Sequence, residues 1–252
     1  MITLLKNKKV VLSVGILCVA ALTIFYFNSE NTAVNTAVNT ATNTAANTAA
    51  NTLQQDTSQH YYTKITADRA TFGDLKGLVG ISDFVVSGHY ENQIQTIKNT
   101  NESGTYYSEG DTYRFVVDDN LLSSTPAEIE VYVPHFSRHT AIANEIEFQT
   151  DVDEPHYLKP DQNKQYILFL KKVPEKDIYS PSSAPFQIEI DADENAELKY
   201  NKADLNKTVK AKNGDSMEFI TEPFDVDDQI SGKKSDDVMK QIKSEVESKS
   251  KS

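Results

Sequence analysis

The chain has 252 residues, 37 acidic against 25 basic side chains, a formal charge of −12 and a single cysteine, Cys18. An acidic surplus repels phosphates, which disfavours nucleic acid and anionic lipid headgroups as partners. A lone cysteine rules out an intrachain disulfide framework, so the folded part must rely on its core, a habit that suits a bacterial surface.

The amino-terminal tip, residues 1–9, carries Lys6, Lys8 and Lys9, and residues 10–27 then read VVLSVGILCVAALTIFYF without a charge. A bilayer core needs roughly 20 helical residues, and this run with Leu4 and Leu5 upstream reaches that length. Lysines on the amino-terminal side predict a cytoplasmic N-terminus, and Phe25, Tyr26 and Phe27 suit the outer interface. A cleaved secretory signal would need a shorter apolar region and a small-residue cleavage site, where the chain has Tyr26-Phe27-Asn28-Ser29-Glu30. Cys18 follows Ile16-Leu17 inside the apolar run, which excludes a lipoprotein site. The expectation is a signal anchor, with the lipid bilayer as a partner through residues 10–27.

Residues 28–56 form a spacer built on NTAV and NTAA repeats. Without apolar bulk or charge the repeat cannot offset its ordering entropy. As a flexible coil the Asn31–Thr52 repeat would hold its ends on the order of 25 Å apart, and at full stretch about 70 Å. Beyond residue 27 the charge falls to −15, from 22 basic and 37 acidic side chains.

The folded part is expected over residues 57–230. His60 to Ile65 reads as a first strand. Thr71-Phe72-Gly73-Asp74 resembles a helix cap, with Phe72, Leu75 and Val79 at helical spacing and Gly80 as the stop. The period then becomes two. Phe84 to Tyr90, Tyr113 to Val117, Glu128 to Val133, Ile146 to Phe148, Phe186 to Ile190 and Met217 to Ile220 read as strands. Gln165 to Leu170 is apolar on both faces, the mark of a fully buried strand. Short strands between turn clusters predict a mainly β fold, a small antiparallel barrel or sandwich with one short helix. Residues 231–252 are expected as a polar helix or tail: Ser235 caps, Asp236 and Asp237 fill the first turn, and Val238, Ile242 and Val246 are in phase.

Ser82-Asp83-Phe84-Val85-Val86-Ser87-Gly88 and Gln165-Tyr166-Ile167-Leu168-Phe169-Leu170, with the alternating Glu128–Val133 between them, resemble a loose group of uncharacterised Gram-positive, membrane-anchored surface proteins. The resemblance covers about Phe72 to Ile190 and rests on core strands. It implies the small OB-like barrel shared with netrin-type and metalloproteinase-inhibitor domains. The disulfide-held amino-terminal cysteine of those inhibitors has no counterpart here, so inhibition is not implied.

Five histidines lie beyond the anchor: His60, His89, His135, His139 and His156. His135-Phe-Ser-Arg-His139 has a spacing that puts two rings on one helical face, as zinc ligands often are, with His89, His156 or an acid as a third ligand. Pro134 and the surrounding strand pattern argue against a helix there. Asp191-Ala-Asp193-Glu-Asn195-Ala-Glu197 places oxygens at alternate positions like the start of a calcium loop, but lacks the glycine and distal glutamate of one; Asp151, Asp153 and Glu154 form a second acidic cluster. Tyr61, Tyr62, Tyr106 and Tyr107 are the aromatic pairs best suited to contact a ligand. The sequence contains no G-x-S-x-G, H-E-x-x-H or phosphate-cradling glycine loop, and Ser231-Gly-Lys-Lys234 matches S-x-x-K only by letter. The expectation is a non-catalytic surface module, with no cofactor and an envelope component or protein as partner. Its alternatives are a metal-dependent hydrolase on His135 and His139 and a calcium-stabilised domain.

Overall fold

The computed structural model describes residues 58–251, apart from 68, 102–105, 156, 175 and 223. The expected tip, anchor and spacer, and His156, lie outside the described residues. Among the described residues no helix is long and apolar enough to cross a membrane. In chain order these residues form β1 (His60–Ile65), α1 (Leu75–Ile81), β2 (Phe84–Thr100), β3 (Tyr107–Leu122), β4 (Glu128–Ala143), β5 (Ile146–Asp153) and β6 (Gln165–Lys172). There follow β7 (Ile178–Pro181), β8 (Gln187–Ile190), β9 (Ala196–Lys199), β10 (Lys207–Lys210), β11 (Ser216–Thr221) and α2 (Ser235–Lys249). The mainly β expectation holds, with two short helices.

Five strands pair around a ring. β2 runs antiparallel to β3 and β3 to β4; β4 lies parallel to β7, β7 antiparallel to β6, and β6 returns antiparallel to β2. Every strand of the ring sends apolar side chains into one cluster, including Val86, Phe115, Val131, Leu168 and Tyr179. Tyr90 sits at its centre, edge-on to Tyr113, Phe115 and Tyr166. Closure requires β2 to serve two neighbours at once, and its register shifts at Val85/Val86 and Ser87/Gly88 mark the bend. Gly88 makes the bend possible, because a Cβ there would stand 1.9 Å from the Val116 carbonyl oxygen.

β6 is buried on both faces for a specific reason. Tyr166, Leu168 and Leu170 belong to the cluster inside the ring, whereas Ile167 and Phe169 belong to a second cluster on its outside. That outer cluster is covered by Leu75, Leu78 and Val79 of α1 and by Val238 and Ile242 of α2. β8 and β9 extend the sheet beyond β6.

Both helix ends differ from the sequence reading. α1 is capped by Asp74, whose Oδ1 accepts from the Gly77 amide at 2.8 Å, and not by Thr71. The reason is that Gly73 is held in a bend against the 227–229 segment, its carbonyl accepting from the Gln229 amide at 2.9 Å. Gly80 stays helical, and the stop is Ser82, whose hydroxyl donates to the Leu78 carbonyl at 2.6 Å. α2 has Lys234, not Ser235, at its N-cap; the Ser235 amide donates to the Glu194 carbonyl at 2.8 Å. α2 is also no loose tail: Val238 and Ile242 are fully buried. Lys249 near its end donates to the carbonyls of Val79 at 3.0 Å and Ser82 at 2.5 Å, closing the carboxyl end of α1.

A three-stranded sheet stands beside the ring. β1 lies parallel to β11 and β10 antiparallel to it. Met217 and Phe219 of β11 pack on Phe148 and Ala141, which belong to the ends of β5 and β4 that run past the ring.

Candidate functional site

Between this small sheet and the protruding β4–β5 pair lies a cleft of about 180 Å³. β4 presents Ser137 and His139, which share a face because strand side chains alternate. β5 presents Val152 and Asp153. The segment after β1 brings in Arg69, and residues after β11 supply Glu222, Phe224 and Asp225. Two of the lining residues are buried: Ser137 is 3% and Val152 4% exposed. Glu222 and Asp225 stand exposed at the rim.

Three polar features distinguish this cleft. Arg69 is held by Glu154, Nη2 to Oε2 at 2.6 Å, with the two side chains only 19% and 12% exposed. Its Nε is buried and has no hydrogen-bond partner among the described residues. Ser137 Oγ lies 3.0 Å from His139 Nε2. Burial chiefly, with the Arg69 charge adding to it, pushes the His139 imidazole below its ordinary value against the opposing pull of Glu154 and Asp151. The ring is therefore neutral near pH 7.

The structure separates the residues proposed as metal ligands. His135 and His139 are four apart on an extended strand, which sets their Cα atoms roughly 13 Å apart. The His135 ring stacks on Tyr157 with centroids at 4.0 Å and meets Phe136 edge-on at 5.3 Å. His89 lies on β2, its Nδ1 3.8 Å from Asp118 Oδ2. Among the described residues no group of three or more His, Cys, Asp and Glu is placed to hold a metal ion.

The acidic run at 191–197 forms the turn joining β8 to β9. Asp191 Oδ1 accepts from the amides of Asp193 at 2.9 Å and Asn195 at 2.7 Å, and Oδ2 accepts from Asn195 Nδ2 at 3.0 Å. The amide and side chain of Asn195 are the main causes that hold the Asp191 carboxyl below its ordinary range. Its oxygens are aimed at the turn it closes. Lys234 Nζ then donates to the Asp193 carbonyl at 2.8 Å, docking the turn on the start of α2.

The tyrosines divide. Tyr61 packs near Phe148 with centroids 6.3 Å apart; its hydroxyl donates to Gln59 Oε1 and accepts from Asn144 Nδ2 at 2.6 Å. Tyr62, on the other face of β1, is 41% exposed. The Tyr106 amide donates to Asn101 Oδ1 at 3.0 Å. Tyr107 lies beneath the Arg138 guanidinium at 4.5 Å, while Arg138 grips Asp151 with two hydrogen bonds of 2.6 and 2.9 Å. The Tyr107 hydroxyl donates to Glu109 at 2.7 Å, and that bond chiefly raises its pKa. None of the four lines the cleft.

Sequence reasoning reached His139 and missed Arg69 and Ser137. One signal was available. The chain uses arginine only at 69, 114 and 138 and lysine elsewhere, and arginine is favoured where a planar carboxylate partner is gripped. All three arginines make ion pairs. No family model, curated protein or solved structure matches the chain.

Proposed function

We propose that this chain is a non-catalytic binding module of a cell envelope, held at the membrane by residues 10–27, set off from it by the 28–56 spacer, and taking its ligand in the cleft beside the ring. The ring of five strands is of the OB-like kind, an architecture whose sheet face and adjoining loops often bind ligands. The observation that carries the reading is the cleft itself: a concave site lined by Arg69, Ser137 and His139 under an acidic rim. Ligands bind in concavities that carry a few convergent polar groups, and this cleft is one that does so here. The test is retention of the full-length chain, in detergent, on purified envelope material and on phospholipid vesicles. Retention on envelope material that falls sharply with Val152→Trp, which fills the cleft, supports the reading. Retention unaffected by that change sinks it.

One distance favours a second reading. Ser137 Oγ at 3.0 Å from a neutral His139 Nε2 is the spacing of a nucleophile and its base. An acyl hydrolase would be labelled at Ser137 by a fluorophosphonate and would turn over p-nitrophenyl acetate in a Ser137-dependent way. The binding reading expects neither.

A further inference from the structure

We propose that Asn213 is a site of spontaneous deamidation, and that the carboxylate it becomes loosens the start of β1 from β11. The reaction needs only water. The Gly214 amide nitrogen bonds to the Asn213 side-chain carbonyl carbon, the bond from that carbon to Nδ2 breaks, and ammonia leaves with the Gly214 amide proton. Water then opens the cyclic imide to aspartate or isoaspartate. The sequence directs this chemistry to one residue. Asn213 is the only asparagine of the chain followed by glycine; every other precedes a residue whose side chain crowds the attacking nitrogen. Asn213 and Gly214 are both exposed, in the turn that joins β10 to β11. The Gly214 amide donates to the Ala211 carbonyl at 3.1 Å, so its nitrogen is released for attack when the turn opens. Among the described residues β10 pairs with β11 alone, over four residues, and such a short edge hairpin opens locally without unfolding the ring.

The consequence follows from what the Asn213 side chain holds. Its Nδ2 donates to Asp215 Oδ2 at 2.9 Å, and its Oδ1 accepts from the Asp215 amide at 3.1 Å. Asp215 is only 7% exposed, and its Oδ1 accepts from the Gln59 amide at 2.8 Å. The Gln59 carbonyl in turn accepts from the Ser216 amide at 2.8 Å. Residue 59 immediately precedes β1, so Asp215 and Ser216 together clamp the start of β1 to β11. Deamidation removes the donor and sets a second carboxylate against Asp215 across one hydrogen-bond length, where like charges repel. Isoaspartate also adds a methylene to the main chain of the turn. Among the described residues β1 has no strand neighbour except β11, and the chain running on from it supplies Ile65, Ala67 and Arg69 to the cleft. A loosened β1 therefore reaches the cleft wall.

The test incubates the full-length chain in detergent at 37 °C between pH 7 and 9, digests it with pepsin at acid pH, where the reaction is suppressed, and weighs the peptides. The expected result is a gain of one mass unit at Asn213, ahead of the asparagines of the 28–56 spacer. It should be faster at higher pH, because the attacking nitrogen must lose its proton. Enzymatic methylation of isoaspartate should mark the same peptide, and Asn213→Gln should abolish both signals. Spacer asparagines that react while Asn213 stays intact would overturn the site. The effect on β1 is read separately. Asn213→Asp, one of the two products, should lower the melting temperature by about 2–4 °C and speed hydrogen exchange of the β1 amides while those of β6 hold. Adding Asp215→Asn sets one amide against one carboxylate again and should restore both. An Asn213→Asp chain as stable as the parent, or a loss that Asp215→Asn leaves untouched, would overturn the clamp.

Discussion

At the residue scale, the cleft is held together by one half-hidden ion pair. Arg69 and Glu154 are mostly out of water, and removing one partner of such a pair leaves the other as an uncompensated charge. Arg69→Met should therefore cost about 3 kcal/mol by urea denaturation, and adding Glu154→Leu should restore much of it. His139 sets a pH dependence whose sign follows from its burial. Its folded pKa lies below the unfolded value of about 6.5, so as pH falls below about 6.5 the unfolded chain takes up a proton that the folded chain refuses. Stability is complete above that value and declines below it by at most about 1.4 kcal/mol per pH unit, until the folded pKa is passed. His139→Gln should flatten this part of the curve in unfolding midpoints measured from pH 7.5 to 5.5. Gly88 is the least replaceable backbone position. Gly88→Ala sets a Cβ against the Val116 carbonyl at 1.9 Å, and the ring should lose about 2 kcal/mol or more.

At the element scale, what the sequence shows depends on how local the cause is. The alternation of β3, β4 and β5 follows from one wet and one dry face, so those strands were legible from spacing. The apolar run of β6 was legible as buried on two sides. Its cause was not, because one side is the inside of a ring and the other lies beneath two helices contributed by residues 75–81 and 235–249. α1 began three residues later than its spacing implied, since contacts of Gly73 with residues far along the chain outweighed the local cap. Nothing near Arg69 or Ser137 announces a cleft; their neighbours come from β5 and the segment after β11. The helix over 235–249 was read correctly in phase, yet its weight was hidden: three apolar positions look thin until both strand and helix partners are known. Ile242→Ala should cost about 2–5 kcal/mol, as large-to-small changes in a core do. The 191–195 turn makes the opposite case. Asp191 already has amide partners for both oxygens, so added calcium should leave the melting temperature unchanged.

At the scale of the whole molecule, the fold is closed by contacts between distant parts of the chain. His60 and Ser216 face each other in the parallel β1–β11 pair, and the hydrogen bond between their side chains spans 156 positions. Lys249 reaches back over 170 positions to the Val79 carbonyl. Closing such long loops has an entropic cost that local contacts do not carry, and it slows folding. The parallel pairing of β1 therefore has a kinetic meaning. A ribosome delivers β1 before β11, so the first strand waits for its partner while the intervening residues are made. Its edges are open to any passing strand until Ser216–Thr221 arrives. The interval between the making of these two strands is therefore the one in which the domain is most open to mispairing.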